Sequence, residues 1–288
     1  MKKILLATTL LASTAGFAAA DVAVTGLARM GLVNNGVDTV FASRVRIVFT
    51  GSGTTDGGLL FGASMRADQN GGNTTAAGLV GGSTNGDSVV YISGAFGKLT
   101  FGDVAGGAGD YLVGQISAVG FTSLGSLNEI GFLPGTATAA RYDYTSGNFS
   151  VALGASQPTA VAGADKNSIA VKYATDMYNV ALGYEKVTGA SQVSLKGGVT
   201  FGAATVKAKY AKINTAADAE YGVSLDYVVM PALTVTAFFT DHKIAGTIAK
   251  GIGASYDLGG GAALKAGVVD NGAATNSLTG DVGVTMSF

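Results

Sequence analysis

Apolar and polar residues alternate along most of this chain with a period of two. Near the carboxyl end, Val282, Val284 and Met286 share one parity, whereas Asp281 and Thr285 occupy the other. Neighbouring residues of a strand point to opposite faces, so this pattern indicates strands with one apolar and one polar face. Stripes with helical spacing are scarce, and the abundance of Gly, Val and Thr also disfavours helices.

The alternation predicts about sixteen strands, an even number. Their centres lie near residues 26, 45, 63, 91, 100, 141, 152, 170, 181, 196, 207, 223, 236, 251, 265 and 283. Tight turns such as Gly202-Ala203 and Pro231-Ala232 alternate with longer polar links such as 68–87 and 156–167. Transmembrane barrels have short turns at one end and long loops at the other, whereas a soluble sandwich has no such asymmetry. The sequence therefore predicts an all-β fold, a 16-stranded antiparallel transmembrane β-barrel.

A closed barrel also agrees with the hydropathy of the chain. The mean hydropathy is +0.38, yet past the first twenty residues no apolar run approaches the ~18 to 20 residues of a spanning helix. In hydrocarbon every backbone N–H and C=O must be paired, so a sheet can span a membrane only when it has no free edge. Aromatic residues near the predicted strand ends, such as Phe149, Tyr178 and Tyr256, are typical of interfacial girdles. The alternative is a soluble sheet protein that buries its apolar parity.

The amino terminus has the features of an export signal. Lys2 and Lys3 precede an apolar stretch at 4–12, and small residues at 18–20 are suited to signal peptidase. We therefore predict a signal peptide at 1–20 and a barrel domain at 21–288. A membrane-anchoring helix is the alternative, for which the apolar stretch is short.

Composition and charge exclude several other classes of function. The 288 residues include no cysteine, which excludes a disulfide scaffold, zinc thiolates and a cysteine nucleophile. The formal net charge of −1 gives no basic footprint for nucleic acid. The single histidine, His242, follows Asp241, and adjacent strand residues point to opposite faces, so the two do not form a base and its orienting partner. We therefore predict no enzymatic activity.

The longest predicted link, residues 104–137, is the first candidate for a functional element. Loops beyond about 12 to 15 residues in compact proteins are usually functional or disordered. This one contains many apolar side chains, such as Phe121, and we expect it to fold into the barrel and constrict the channel. An external flap or a trimer contact is the alternative. Its ionised groups are all acidic: Asp103 at its root, and Asp110 and Glu129 within it.

The arginines are the second candidate. They are Arg29, Arg44, Arg46, Arg66 and Arg141. All lie on polar parities, and an arginine facing lipid near the midplane would cost about 2 to 4 kcal/mol, so we expect them to face the lumen. A cationic wall opposite the acidic loop would set a field across the channel and affect ion passage. The alternative is that the arginines only solvate the lumen or pair with Asp68 and Asp143.

No cofactor is expected, with one weak exception. Asp68 with Asp87, or Asp270 with Asp281, could hold a structural Ca²⁺ through carboxylate oxygens. Their spacing matches no fixed calcium-binding loop.

Several short motifs, in their order along the chain, resemble a known family. They are the export signal, FGD at 101–103 before the long link, ARYDYTSGNFSVALGAS at 140–156, and the terminal VGVTMSF. Together they are similar to Gram-negative general-diffusion porins, most of all to the Rhodobacter-type porins of alphaproteobacteria. The PEFGG sequence of many enteric constriction loops is absent, so the path of the long loop is not inferred from those proteins.

The resemblance implies a homotrimer in the outer membrane of a Gram-negative bacterium, with short periplasmic turns, long external loops and an inward-folded third loop. It implies a water-filled channel for the passive diffusion of ions and small hydrophilic solutes. Gly, Ala, Ser and Thr predominate on the polar parity and leave room for water; a structural or adhesive barrel with a closed lumen is the alternative. The terminal Phe288 resembles the signal read by the barrel assembly machinery. The implied partners are the lipid bilayer with its lipopolysaccharide, further copies of the chain, that machinery and the solutes, but no nucleic acid.

Overall fold

The computed structural model describes residues 21–71, 83–84, 88–104, 107–131, 133, 138–156, 165–243 and 246–288. The predicted signal peptide at 1–20 lies outside these residues, and the first strand begins at Asp21. No helix in the described part of the chain is both long and apolar enough to cross a bilayer.

The described residues form one antiparallel sheet of seventeen segments. The first nine are β1 (Asp21–Asn34), β2 (Thr39–Thr54), β3 (Leu60–Gly71), β4 (Ser83–Thr84), β5 (Val89–Gly94), β6 (Gly97–Val104), β7 (Thr138–Ser146), β8 (Phe149–Ser156) and β9 (Asn167–Ala174). The others are β10 (Tyr178–Val187), β11 (Ala190–Phe201), β12 (Ala204–Ile213), β13 (Glu220–Met230), β14 (Leu233–His242), β15 (Thr247–Gly259), β16 (Ala262–Asp270) and β17 (Leu278–Ser287).

The sheet is a closed barrel of sixteen strands. Both β4 and β5 pair with the same edge of β3, Thr84 opposite Asp68 and Val89 opposite Ser64, so they are two parts of one strand. The sheet closes because β1 pairs with β2 on one side and with β17 on the other. Every predicted strand centre falls inside an observed strand, which confirms the prediction from the period-two pattern.

The connections divide the barrel into two ends. Two-residue turns such as 147–148, 202–203 and 260–261 lie at one end, here called the short-turn end. The other end, the long-loop end, carries most of the longer links. The link between β10 and β11 differs from the predicted alternation, because it has only two residues, Thr188 and Gly189. Gly189 has φ +82°, a left-handed conformation that suits glycine in a two-residue hairpin.

The two faces of the sheet have different environments. In β10, Val180, Leu182 and Tyr184 are exposed, whereas Gly183 and Glu185 on the other parity are buried. The buried parity faces the lumen, where it is covered by the segment between β6 and β7. The exposed apolar parity faces outward, as expected for a surface that meets lipid.

Candidate functional site

The segment between β6 and β7 lies against the inner wall of the barrel. It begins with a short helix, α1 (Ala108–Leu112), and contains a single 3-10 turn at Leu124–Ser126. Ala108 packs against Ala152 of β8 and Ala170 of β9. Its backbone N–H donates a hydrogen bond of 2.8 Å to Oγ of Ser168. Small side chains on these strands therefore allow the helix to approach the wall closely.

The outgoing and returning halves of the segment meet at a narrow neck. Nε2 of Gln115 donates to the carbonyl of Ile130 at 3.2 Å, and the N–H of Ile130 donates to Oε1 of Gln115 at 3.1 Å. Nδ2 of Asn128 donates to the carbonyl of Ile116 at 2.7 Å. Residues 117–127 are thus an excursion beyond a closed neck, and we refer to them as the loop tip.

The loop tip reaches the seam where β1 and β17 close the barrel. The carboxylate of Asp281 accepts three hydrogen bonds from it, from the N–H of Phe121 at 3.1 Å, the N–H of Thr122 at 2.8 Å and the hydroxyl of Thr122 at 2.6 Å. The Phe121 ring lies over Gly31 and Gly283, which are paired across the seam. A Cβ atom at either glycine would come within 2.9 Å of that ring.

Glycines on the lumen face continue this close contact around the wall. A Cβ atom at Gly183, Gly222 or Gly253 would come within 3.0 Å of a side chain of the segment. The partners of these three positions are Val113, Ile116 and Val119. Small residues on this parity do not leave room for water at these positions, contrary to the prediction, because the segment fills the space that the missing side chains leave.

Charged and polar side chains of the wall hold the backbone of the segment. Nζ of Lys209 donates to the carbonyl of Ile130 at 2.8 Å. Around Gly131, Oε2 of Glu220 accepts from the N–H at 2.9 Å, and Nε2 of Gln192 donates to the carbonyl at 2.9 Å. Buried backbone groups need such partners because they have lost their water. The roles of these residues could not be predicted from the sequence, because only the path of the segment determines which backbone group each side chain contacts.

His242 belongs to the same set of contacts. Its Nε2 lies 3.1 Å from the carbonyl of Leu127, on the lumen side. Asp241 points to the other face, where it accepts a hydrogen bond of 2.7 Å from the Tyr221 hydroxyl. Its carboxylate also raises the pKa of Lys243, with which it forms an ion pair of 3.2 Å. The prediction that His242 and Asp241 point to opposite faces is confirmed.

Three of the five arginines surround one carboxylate. Asp68 is only 7% exposed. It accepts from Nε of Arg44 at 2.8 Å and from Nη2 of Arg46 at 2.9 Å, and Nε of Arg66 lies 3.5 Å from it. These arginines therefore pair with Asp68, which was the alternative to a free cationic wall. The pairing arises because Asp68 lies directly opposite Arg46 in the register of β2 and β3.

The other two arginines make different contacts. Arg29 lies opposite Arg44, and its Nη1 is 3.4 Å from the carbonyl of Phe121. Arg141 in β7 is separated from Arg66 in β3 by two strands of the barrel. Its Nε lies 3.0 Å from Asp143, and its guanidinium stacks on the Tyr111 ring at 3.6 Å. Arg141 is therefore not part of the same cluster, contrary to the expectation of one continuous wall.

The acidic residues predicted for the constriction lie on two parts of the barrel wall. Asp103 is an exposed residue of β6. Asp110 and Glu129 lie within electrostatic reach of Lys209, on the wall formed by β10 to β12. The neck of the segment is held by that wall, which is about half of the sheet order away from β2. In the closed barrel of sixteen strands, the wall that holds Asp110 and Glu129 lies on the side of the lumen opposite β1 to β3.

The carboxylates considered for calcium have other partners. Asp68 faces guanidinium groups, Asp281 binds the loop tip, and Asp270 lies 3.4 Å from Nζ of Lys250. Asp87 lies outside the described residues. Among the described residues, no group of three or more His, Cys, Asp or Glu side chains is placed to hold a metal ion.

Phe288 extends the ladder that closes the barrel. Its N–H donates to the carbonyl of Gly26 at 3.0 Å, and its carbonyl accepts from the N–H of Gly26 at 2.6 Å. Its ring covers Gly26, at which a Cβ atom would overlap the ring. The terminal residue is therefore the last cross-strand pair of the seam.

Comparisons with known proteins agree with this barrel and its inner segment. A family model described as Gram-negative porin matches residues 7–282. The porin of Rhodobacter capsulatus is 36% identical, over 93% of this chain and 100% of that protein. A solved porin structure refined at 1.8 Å superposes with a TM-score of 0.76 at 33% identity, over 93% of this chain and all of the other. A mutant of Rh. blastica porin gives a TM-score of 0.77 at 23% identity and the same coverage, which shows the shared fold.

The fold and these matches define an outer-membrane channel protein. The chain belongs to the Gram-negative porin family. It is an outer-membrane porin that forms a channel for diffusion, and the alternative of a structural or adhesive barrel is not favoured.

Proposed function

We propose that ions and small hydrophilic solutes diffuse passively through this barrel and that the segment at 107–131 sets the size of the passage. The observation that carries the proposal is the anchoring of the loop tip to the seam. Three hydrogen bonds from Phe121 and Thr122 end on Asp281, and the Phe121 side chain is 4% exposed. A segment held in this way keeps its position while solutes pass, and it occupies part of the lumen cross-section.

Replacing Asp281 by alanine tests this role. Each hydrogen bond to a charged group contributes about 1.5 to 3 kcal/mol, so losing the carboxylate should release the tip from the seam. We expect higher single-channel conductance in planar bilayers and faster entry of larger sugars into proteoliposomes. Asp176→Ala is the matched control, because Asp176 is exposed in the turn between β9 and β10 and the charge change is the same. Equal conductance and equal sugar entry in the two variants would contradict the proposal.

We also propose that the chain assembles as a homotrimer in contact with lipopolysaccharide. The outward faces of β1, β16 and β17 present small apolar side chains, such as Val24, Val268 and Val282. Smooth faces of this kind allow two barrels to pack closely. The proposal rests on these faces and on the family.

An arginine at Val24 is expected to dissociate the trimer. The side chain is 58% exposed on the outward face of β1, so a charge there would enter the contact between barrels. The control is Val171→Arg on β9, which faces outward on another part of the barrel and carries a similar cost in lipid, about 2 to 4 kcal/mol near the midplane. Light scattering in mild detergent should give a trimer for the wild type and Val171→Arg, and a smaller species for Val24→Arg. A monodisperse wild-type monomer would refute the assembly.

A further inference from the structure

Positively charged side chains of the barrel wall lie along the edge of the segment that faces the short-turn end. Nζ of Lys207 lies 2.7 Å from Oγ of Ser117, and Nη1 of Arg29 lies 3.4 Å from the carbonyl of Phe121. Lys265 is two positions from Gly267, on which Gly120 packs. Residues two apart on a strand share a face, so Lys265 points into the lumen directly beside the loop tip. The tip is thus bordered by positive charge on β1, β12 and β16.

Arg29 and Lys265 line a cavity between the loop tip and the seam. Its charged lining residues are Arg29, Arg44, Arg46 and Lys265, and its lining includes no carboxylate. The hydroxyl-bearing Thr285 and the terminal part of β17 complete the wall. Lys265 also lines the neighbouring cavity, together with Lys207 and Asp226. Both cavities open beside the tip, where solutes pass.

Two of the four cations in the first cavity have no carboxylate partner. Arg44 and Arg46 share Asp68. In the part of the chain that the structure describes, no ion pair joins Arg29 or Lys265 to a carboxylate. The charged groups that act on Arg29 from further away are Asp281 and Asp68, with Arg44 and Arg46.

The nearest carboxylates are already engaged by other donors. Asp281 accepts three hydrogen bonds from the loop tip, and Asp68 receives guanidinium groups. Asp226 forms an ion pair of 3.0 Å with Lys207 and accepts from the hydroxyls of Ser117 and Thr236. The carboxylates of this region therefore already bind the segment, Lys207 or the arginines of β2. Arg29 and Lys265 remain available to interact with ions in the channel.

We propose that this cavity binds small oxyanions with low affinity and makes the porin selective for anions. The inference rests on the proposed diffusion function and adds its preferred class of solute. A phosphate or carboxylate group fits the set of donors, because guanidinium and ammonium groups form charge-assisted hydrogen bonds with anionic oxygens. The opposite wall carries charge of both signs, with Lys172 and Lys207 near Lys196, and Asp110, Glu129 and Glu185 near Lys209, so the preference for anions is assigned to the cavity beside the loop tip.

The test combines reversal potentials with phosphate competition in planar bilayers. In a KCl gradient, the sign of the reversal potential of the wild-type channel should show that chloride is more permeant than potassium. Inorganic phosphate should lower the chloride current in a saturable manner. In the double variant Arg29→Gln with Lys265→Gln, the chloride preference should fall severalfold and the phosphate effect should disappear. The tip keeps its three hydrogen bonds to Asp281 in this variant, so its anchor to the seam is unchanged.

The matched control is Lys186→Gln with Lys250→Gln, which removes the same charge from the outward face. It should leave both measurements unchanged. A wild-type channel that conducts but prefers potassium, or has no preference, would overturn the inference and leave the diffusion function standing. Anion preference with no phosphate effect, or an equal phosphate effect in the double variant, would overturn the binding cavity. A purified barrel that does not conduct would overturn the diffusion function itself.

Discussion

Removing the loop tip should raise the single-channel conductance severalfold. Gln115 and Ile130 already contact each other at the neck, so residues 117–127 can be replaced by Gly-Ser-Gly without stretching the chain. Three residues span up to about 10 Å, at about 3.3 to 3.6 Å each. The barrel diameter is set by the strand number and stagger, which the excision does not change. The lumen should therefore gain the cross-section that the tip occupies.

The excision should lower the stability of the barrel without preventing it from folding. Ile116, Leu124 and Phe238 belong to one buried cluster, and part of that cluster will meet water. We expect a lower melting temperature with an intact barrel, because the backbone ladder of the strands does not pass through the tip. Shortening the exposed link at 271–277 is the matched control, with wild-type conductance expected. Equal currents in both variants would mean that the tip lies outside the conduction path.

The strands could be predicted from the sequence because their signal is local. In β10, Leu182 faces outward and its neighbour Gly183 faces inward, as the alternation predicts. The inward placement of Arg44 and Arg46 follows from the same rule and from the cost of a charge in lipid. These predictions needed no knowledge of which strands pair.

The contacts inside the lumen depend on register and path, which parity does not give. Asp68 meets Arg46 because the two lie opposite each other in the pairing of β2 and β3. Asp110 and Glu129 lie beside Lys209 because the neck is fixed to β10 to β12. Both placements follow from contacts between residues far apart in sequence.

The glycines of the wall are the least visible part of the site in the sequence. Gly31 and Gly283 have no side chain that suggests a role, and each is one of 45 glycines. Their function as a platform appears only when the Phe121 ring is located over them. A side chain at either position would collide with the Phe121 ring, so the loop tip can lie against the wall only because these residues are glycines.

Deleting Phe288 should greatly reduce the amount of assembled barrel in the outer membrane while changing its stability little. The residue forms two backbone hydrogen bonds with Gly26, which together contribute about 1 to 3 kcal/mol. This is a small part of a ladder that pairs eight further positions between β1 and β17. Phe288 is, however, 66% exposed on the outer face of the strand that must close the barrel, and we expect assembly machinery to bind its ring before closure.

Two measurements distinguish a role in biogenesis from a role in stability. Protein without Phe288, refolded in detergent, should melt close to the wild type and conduct normally in bilayers. In cells the same variant should accumulate as unassembled chain, whereas Phe288→Tyr, which keeps an aromatic ring over Gly26, should restore assembly. A refolded variant that melts far below the wild type would assign Phe288 to stability. Normal assembly of the deletion in cells would show that the terminal aromatic residue is not read at all, because the seam would then close without it.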